Sequence, residues 1–335
     1  MTALYLTEPG TKVHYKNQTF TIKKNQTYTC RLSELELLVI LPGVQLTDVV
    51  ISALLDQGIE AIFLRQDGQF RGRLQASFAS NPLIRLAQYR TVETSFGLAF
   101  AQKFAYGKIR NQRALLQIKN RATKGKIAQL SESIDTINVY QLQLKNIDKP
   151  RTRDELMGIE GISARSYYQA LQHFFPPHWQ FNGRNRRPPK DPINALLSWG
   201  YGVLLARIFA VCVKAGLDPY LGFFHSIQPY RPNLVLDLME EFRPILVDYA
   251  VISLIQSQML DIADFQPSSD GQGIWLGVTA KKLLLRELEE RMNQYLLYPP
   301  QNRKLKLNQI FLEQARMLAR CLLESSLDYE PFFIK

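Results

Sequence analysis

The chain changes its hydrophobic period once, and the change sits at Asn81–Pro82. Before that point apolar residues alternate or cluster in short runs between turn residues. After it they recur about every 3.6 residues, the period of a helix. The order of the two patterns predicts an α+β chain, with a small N-terminal β domain at residues 1–84 and a larger helical domain at 85–335. In the first part, Ala3–Leu6, Lys12–Tyr15, Phe20–Ile22 and Thr27–Thr29 are β-rich runs punctuated by Pro9–Gly10 and Lys16–Gln18. Leu35–Leu41 predicts a continuous apolar strand, and Thr47–Gln57 a short helix with Thr47 as its N-cap. Ile59–Arg65 and Gly72–Ala76 add strands joined through Gln66–Gln69, a hairpin signal. In the second part the period predicts helices over 83–119, 124–145, Ile193–Ala215, Val247–Leu260, Thr279–Leu297 and Leu307–Ser325. A length of 335 residues agrees with two domains, the first acting as scaffold or dimerisation unit.

Three function classes drop out early. Cys30, Cys212 and Cys321 are far apart and form no CxxC pair, which argues against a disulfide framework or a zinc ribbon and for a reducing cytosol. The N-terminus lacks the basic-then-apolar layout of a signal peptide. The longest apolar run, around Tyr201–Val213, is broken by Arg207 and reads as too short for a bilayer, so no membrane partner is expected.

Charge points to a partner. The net charge is +11, and residues 101–190 alone hold 17 Lys/Arg against 6 Asp/Glu. The remainder balances, so one region carries the whole surplus. That is the footprint of a phosphate-backbone binder, although solvated helix faces give the same composition. Lys108, Arg110 and Arg113 recur beside an apolar helical spine. Arg184, Arg186, Arg187 and Lys190 crowd a Pro-rich loop that could order on a nucleic acid. Arg165 stands a short way along a helix from Glu160.

The chemistry-bearing residues cluster further on. Gly222–Phe223–Phe224–His225 puts an imidazole at a turn, and Asp237 and Glu240 follow, three apart, on what reads as the first turns of a helix. Positions i and i+3 share a helix face. One His with two carboxylates suits Mg²⁺ or Mn²⁺ better than structural Zn²⁺. A core histidine beside a solvated acidic helix start fits the same residues. Glu160 lies between Gly158 and Gly161, which would let the backbone turn closely and the carboxylate reach inward. A carboxylate near a helix N-terminus is the plainer reading. The apolar segment Phe332–Ile334 fits docking on its own domain or on a partner.

Four blocks in order then carry a resemblance: LMGIEGISAR from Leu156 to Arg165, RPPKDPINALL from Arg187 to Leu197, GLDPYLGFFH from Gly216 to His225, and LDLMEEFRP from Leu236 to Pro244. Together they resemble the CRISPR-associated endonuclease/integrase family, which inserts new spacers into CRISPR arrays. The resemblance implies a β-sandwich-like N-terminal domain and an all-α catalytic domain. It also implies a homodimer, and two such dimers around a dimer of a small companion adaptation protein, acting on double-stranded DNA. It makes Glu160, His225 and Glu240 the Mg²⁺ or Mn²⁺ ligands, with Asp237 as a supporting catalytic acid. The sequence departs from the family in two places. Ser226 follows the His where relatives often have Glu, and the loop Ile227–Asn233 is short and carries Arg231. Two other readings stay open: a structure-selective repair nuclease, and a DNA-binding scaffold with a vestigial Glu/His/Glu set.

Overall fold

The computed structural model describes residues 2–76, 81–122, 127–146, 151–186 and 188–334. It opens with β1 (Ala3–Leu6), β2 (Lys12–Lys16), β3 (Thr19–Lys23) and β4 (Thr27–Arg31). There follow β5 (Leu37–Ile40), β6 (Gln45–Leu46), helix α1 (Asp48–Asp56), β7 (Glu60–Leu64) and β8 (Phe70–Leu74). β1, β5 and β7 pair in parallel and β8 adds antiparallel to β7. A second sheet runs β4-β3-β2-β6. Every residue of β5 is buried, because successive strand side chains point to opposite faces and both faces are covered. Leu37 and Val39 join Ile62 and Leu64 in the core shared with the helices. Leu38 and Ile40 join Ala61, Val13, Phe20 and Leu54 between the two sheets and α1. The sandwich-like N-terminal part is therefore fused to the helical part through one sheet.

The helical part begins with α2 (Pro82–Thr91) and α3 (Ser95–Ala122). The single helix expected over 83–119 is thus two. Thr94 Oγ1 accepts from Gly97 N and donates to the Thr91 carbonyl, capping the new start. The chain folds back so tightly there that a Cβ on Gly97 would stand 2.5 Å from the Thr91 carbonyl oxygen. α4 (Ala128–Lys145) and α5 (Arg153–Leu171) pack on α3. α5 starts on a full capping box, Thr152 with Glu155.

α6 (Pro192–Lys214) is the central core helix, capped by Asp191 through Asn194 N. Its 23 residues are long and apolar enough to cross a membrane by length and composition, contrary to the reading that Arg207 shortens it. It is nonetheless a core helix, with 83% of its most apolar window buried inside the fold. Arg207 is accommodated by Tyr5 Oη on β1 and by Glu289.

α7 (Asn233–Met239) is short, and a π-helical turn at Arg243–Asp248 leads into α8 (Tyr249–Gln256). Pro244 has no N–H to give an α-helical ladder, which accounts for the wider turn. Two hairpins interrupt the helices: β9 (Phe265–Pro267) with β10 (Ile274–Leu276), and, after α9 (Val278–Met292), β11 (Tyr295–Tyr298) with β12 (Arg303–Lys306). α10 (Leu307–Glu324) is the last helix among the described residues. The segment after it docks on its own chain, where Tyr329 and Phe332 are buried against Phe104 and Phe242.

Candidate active site

His225 is set by a carboxylate, not by a helix. Asp237 is fully buried, and its Oδ2 accepts from the backbone N–H groups of Phe223 and Phe224 at 2.6 and 2.8 Å. Its Oδ1 accepts from His225 N at 3.0 Å and stands 2.7 Å from His225 Nδ1. With Nδ1 committed to Asp237, the imidazole turns Nε2 toward the site, the arrangement that orients a metal-binding histidine. Gly222 permits this loop, since a Cβ there would stand 2.5 Å from Asp237 Oδ2.

Asp237 and Glu240 do not lie on the first turns of a helix as expected. α7 begins at Asn233, after Pro229 and Pro232, so Asp237 falls late in it and Glu240 is its C-cap. A short segment still puts both carboxylates near one point. Glu160 arrives from α5, which runs unbroken through Gly158 and Gly161 instead of turning at them. Leu156, Ile159, Ser163 and Tyr167 form the buried face of α5, and Glu160 sits at its edge, half-buried.

Between Glu160 and Glu240 stands Lys108 of α3. Its Nζ bonds Glu160 Oε1 and lies 2.7 Å from Glu240 Oε2, and its side chain is 8% exposed. His225 Nε2 is 3.8 Å from Glu240 Oε1, and Arg243 Nη1 is 3.3 Å from that same oxygen. Burial alone would raise the Glu240 pKa, but Arg243, Lys108 and His225 outweigh it and hold the carboxyl at about 2. Burial would lower the Lys108 pKa, and Glu160 and Glu240 raise it instead. Among the described residues, no group of three His, Cys, Asp or Glu side chains is drawn together closely enough to grip an ion. The Lys108 ammonium already occupies the place between the carboxylates. The donors still fit a hard divalent cation: two carboxylates, one imidazole nitrogen, and a buried Glu240 Oε2 that receives no well-aligned hydrogen bond.

Beside His225 a cleft of about 380 Å³ opens, lined by Arg184, Arg186, Arg231 and Arg243, with Tyr201 on α6 and the β7–β8 turn at its edge. Arg184 is fastened by Asn194 Oδ1 at 2.7 Å and Ser198 Oγ at 3.0 Å, with its guanidinium over Tyr201. The loop expected to be mobile is stitched to α6 over its described residues, through Asn185 to Asp191 and Asn194. Lys190 is exposed nearby, and Arg187 lies outside the described residues. Arg165 is exposed on α5. Arg110 and Arg113 belong to another face of α3, Arg110 over the Phe333 ring and Arg113 bonded to Gln141. Sequence reasoning missed the β7–β8 turn as part of the cleft wall and did not see that Lys108 lies at the centre of the site.

The family model of CRISPR associated protein Cas1 matches residues 4–290. The chain belongs to the Cas1 family. Among its relatives, CRISPR-associated endonuclease Cas1 3 of Thermus thermophilus is 33% identical over 308 residues, covering 91% of this chain and 87% of that one. A chain of a Cas6-RT-Cas1–Cas2 complex superposes with a TM-score of 0.86 at 25% identity, over 100% of this chain and 36% of that one. A casposase bound to integration product gives 0.84 at 24% identity, covering 98% and 93%, and supports the Cas1 fold.

Proposed function

We propose that this Cas1-family chain is a divalent-metal-dependent DNA endonuclease and integrase that joins spacer DNA to CRISPR repeats. The observation that carries the reading is the meeting of Glu160 and Glu240 on the Lys108 ammonium, with His225 Nε2 3.8 Å from Glu240, beside an arginine-lined cleft. Membership of the Cas1 family, and relatives named as endonucleases, support a nucleic-acid substrate. The reaction is a transesterification. A 3′-hydroxyl of the donor attacks a repeat-boundary phosphorus and loses its proton. One P–O bond forms, another breaks, and the departing 3′-oxygen takes up a proton. One phosphodiester replaces another, so no nucleotide cofactor is needed. Water in place of the 3′-hydroxyl gives nuclease activity.

Glu160, Glu240 and His225 would hold the Mg²⁺ or Mn²⁺, which supplies Lewis-acid polarisation of the phosphoryl group when bound. Asp237 acts as a positioning residue, fixing His225. Arg243 keeps Glu240 ionised. Arg184, Arg186, Arg187, Lys190 and Arg165 would take phosphates along the cleft, and Arg110 and Arg113 would meet DNA on the other face of α3. Residues 1–84 would serve as scaffold and dimerisation domain and 85–335 as the catalytic and DNA-binding domain. The acting assembly would be two homodimers around a dimer of a companion protein of the Cas2 kind.

The test is strand transfer of a short labelled duplex into a plasmid bearing leader and repeat, with the companion protein present. Labelled plasmid should form with Mn²⁺ or Mg²⁺ and not with EDTA. It should fall more than about a hundredfold in each of Glu160→Ala, His225→Ala and Glu240→Ala. Transfer that persists in EDTA and in all three variants overturns the metal site.

A further inference from the structure

The most buried cation at the site is not accounted for by DNA binding. Lys108 sits mid-helix in α3 among Phe104, Ala105, Ile109 and Leu115, where a lysine is costly unless paired. It is paired twice, to Glu160 and to Glu240, and the second contact joins side chains 8% and 2% exposed. Two carboxylates that meet in a buried site repel each other. A single ammonium paired with both offsets that repulsion. It stands between the two carboxylates that would hold a bound cation.

We propose that Lys108 is a built-in counter-cation: it holds Glu160 and Glu240 together before metal arrives, and a divalent ion displaces its ammonium from between them. This rests on the metal-site reading above. Lys108 is then a positioning residue for the ligand set, and it competes with the ion for the same two oxygens. The lysine would keep the acidic pair assembled in the metal-free protein, at the expense of metal affinity.

The experiment compares wild type with Lys108→Met, which keeps the stem and removes the charge, at pH 8. Without metal, the variant should melt below wild type, and Mn²⁺ should raise its melting temperature by more than it raises that of wild type. Mn²⁺ binding by calorimetry should tighten by about tenfold or more, since a unit charge competing for the same oxygens has been removed. A wild-type measurement needs no variant to fold. Acetylation of Lys108 by an N-hydroxysuccinimide ester, read by peptide mass spectrometry, should be slow in EDTA and faster with Mn²⁺. Unchanged Mn²⁺ affinity in Lys108→Met, or equal Lys108 labelling with and without Mn²⁺ in a protein that binds the ion, overturns the proposal. If wild type and Glu160→Ala bind Mn²⁺ equally, the metal-site reading itself has failed, which is a different result.

Discussion

Asp237 shows what a single side chain does here. It takes four donors on two oxygens, three of them backbone N–H groups of the loop that carries His225. Asparagine at this position would aim an NH₂ at two of those donors. Asp237→Asn should cost about 2–4 kcal/mol, read from urea unfolding, because buried N–H groups lose their acceptor. Mn²⁺ affinity should also weaken by about 10–100-fold as the imidazole loses its orientation. Unchanged stability would mean that the loop holds itself. Glu160, His225, Asp237 and Glu240 stood out in the sequence through the four blocks that resemble the family, since their own spacing fitted a plain structural reading as well. Lys108 was legible only as a charge. Burial decides whether a lysine meets phosphates or carboxylates, and burial at Lys108 depends on α5 and α7, which lie far along the chain.

At the scale of the element, glycines within helices divide by what faces them. Gly158 and Gly161 read as turn residues in the sequence, yet α5 passes through both, and a Cβ on either would meet nothing within 4 Å. Gly161→Ala should therefore raise stability by about 0.5–1 kcal/mol, the ordinary gain from removing backbone freedom in a helix. Gly202 on α6 is the opposite case. A Cβ there would lie 2.0 Å from the Gly68 carbonyl oxygen, in the β7–β8 turn that rims the cleft. Gly202→Ala should cost more than about 2 kcal/mol, because backbone must move on both sides. Equal urea midpoints for the two variants would contradict this division. The strand and helix periods, the start of α1 after Thr47 and the hairpin at Gln66–Gln69 were readable because each is a local signal. The break at Thr94 and the early start of α7 were not. Thr94 caps through a fold-back that the period does not register, and α7 opens after Pro232, ahead of the acids that looked like its start.

At the scale of the whole molecule, three buried carboxyls tie stability to pH in opposite senses. Burial pushes Asp248 up to about 6, against hydrogen bonds from Tyr167 and Tyr201, and pushes Glu241 up to about 7, against donors from Tyr329, Phe332 and Gln314. In the fold these two hold their protons more tightly than in the unfolded chain. They therefore subtract stability as pH rises from about 4, where unfolded carboxyls titrate, through 6 and 7, and the full loss persists above. Glu240, held at about 2, works the other way: its contribution is present above about 4.5 and is lost as pH falls toward 2. The first pair sits where distant parts of the chain meet, Asp248 between α5 and α6, and Glu241 against the segment after α10. Asp248→Asn and Glu241→Gln remove the ionisation and keep one acceptor oxygen each, with the amide NH₂ facing a tyrosine hydroxyl that can turn to accept. Urea unfolding of each variant against wild type from pH 4.5 to 8 should show the difference shift in the variant's favour by up to about 3 kcal/mol across the interval. Each curve should flatten above the titration of the group removed, first for Asp248→Asn and then for Glu241→Gln. A difference that stays constant with pH would mean that these carboxyls titrate alike in both states and that their networks, not their protons, set the stability.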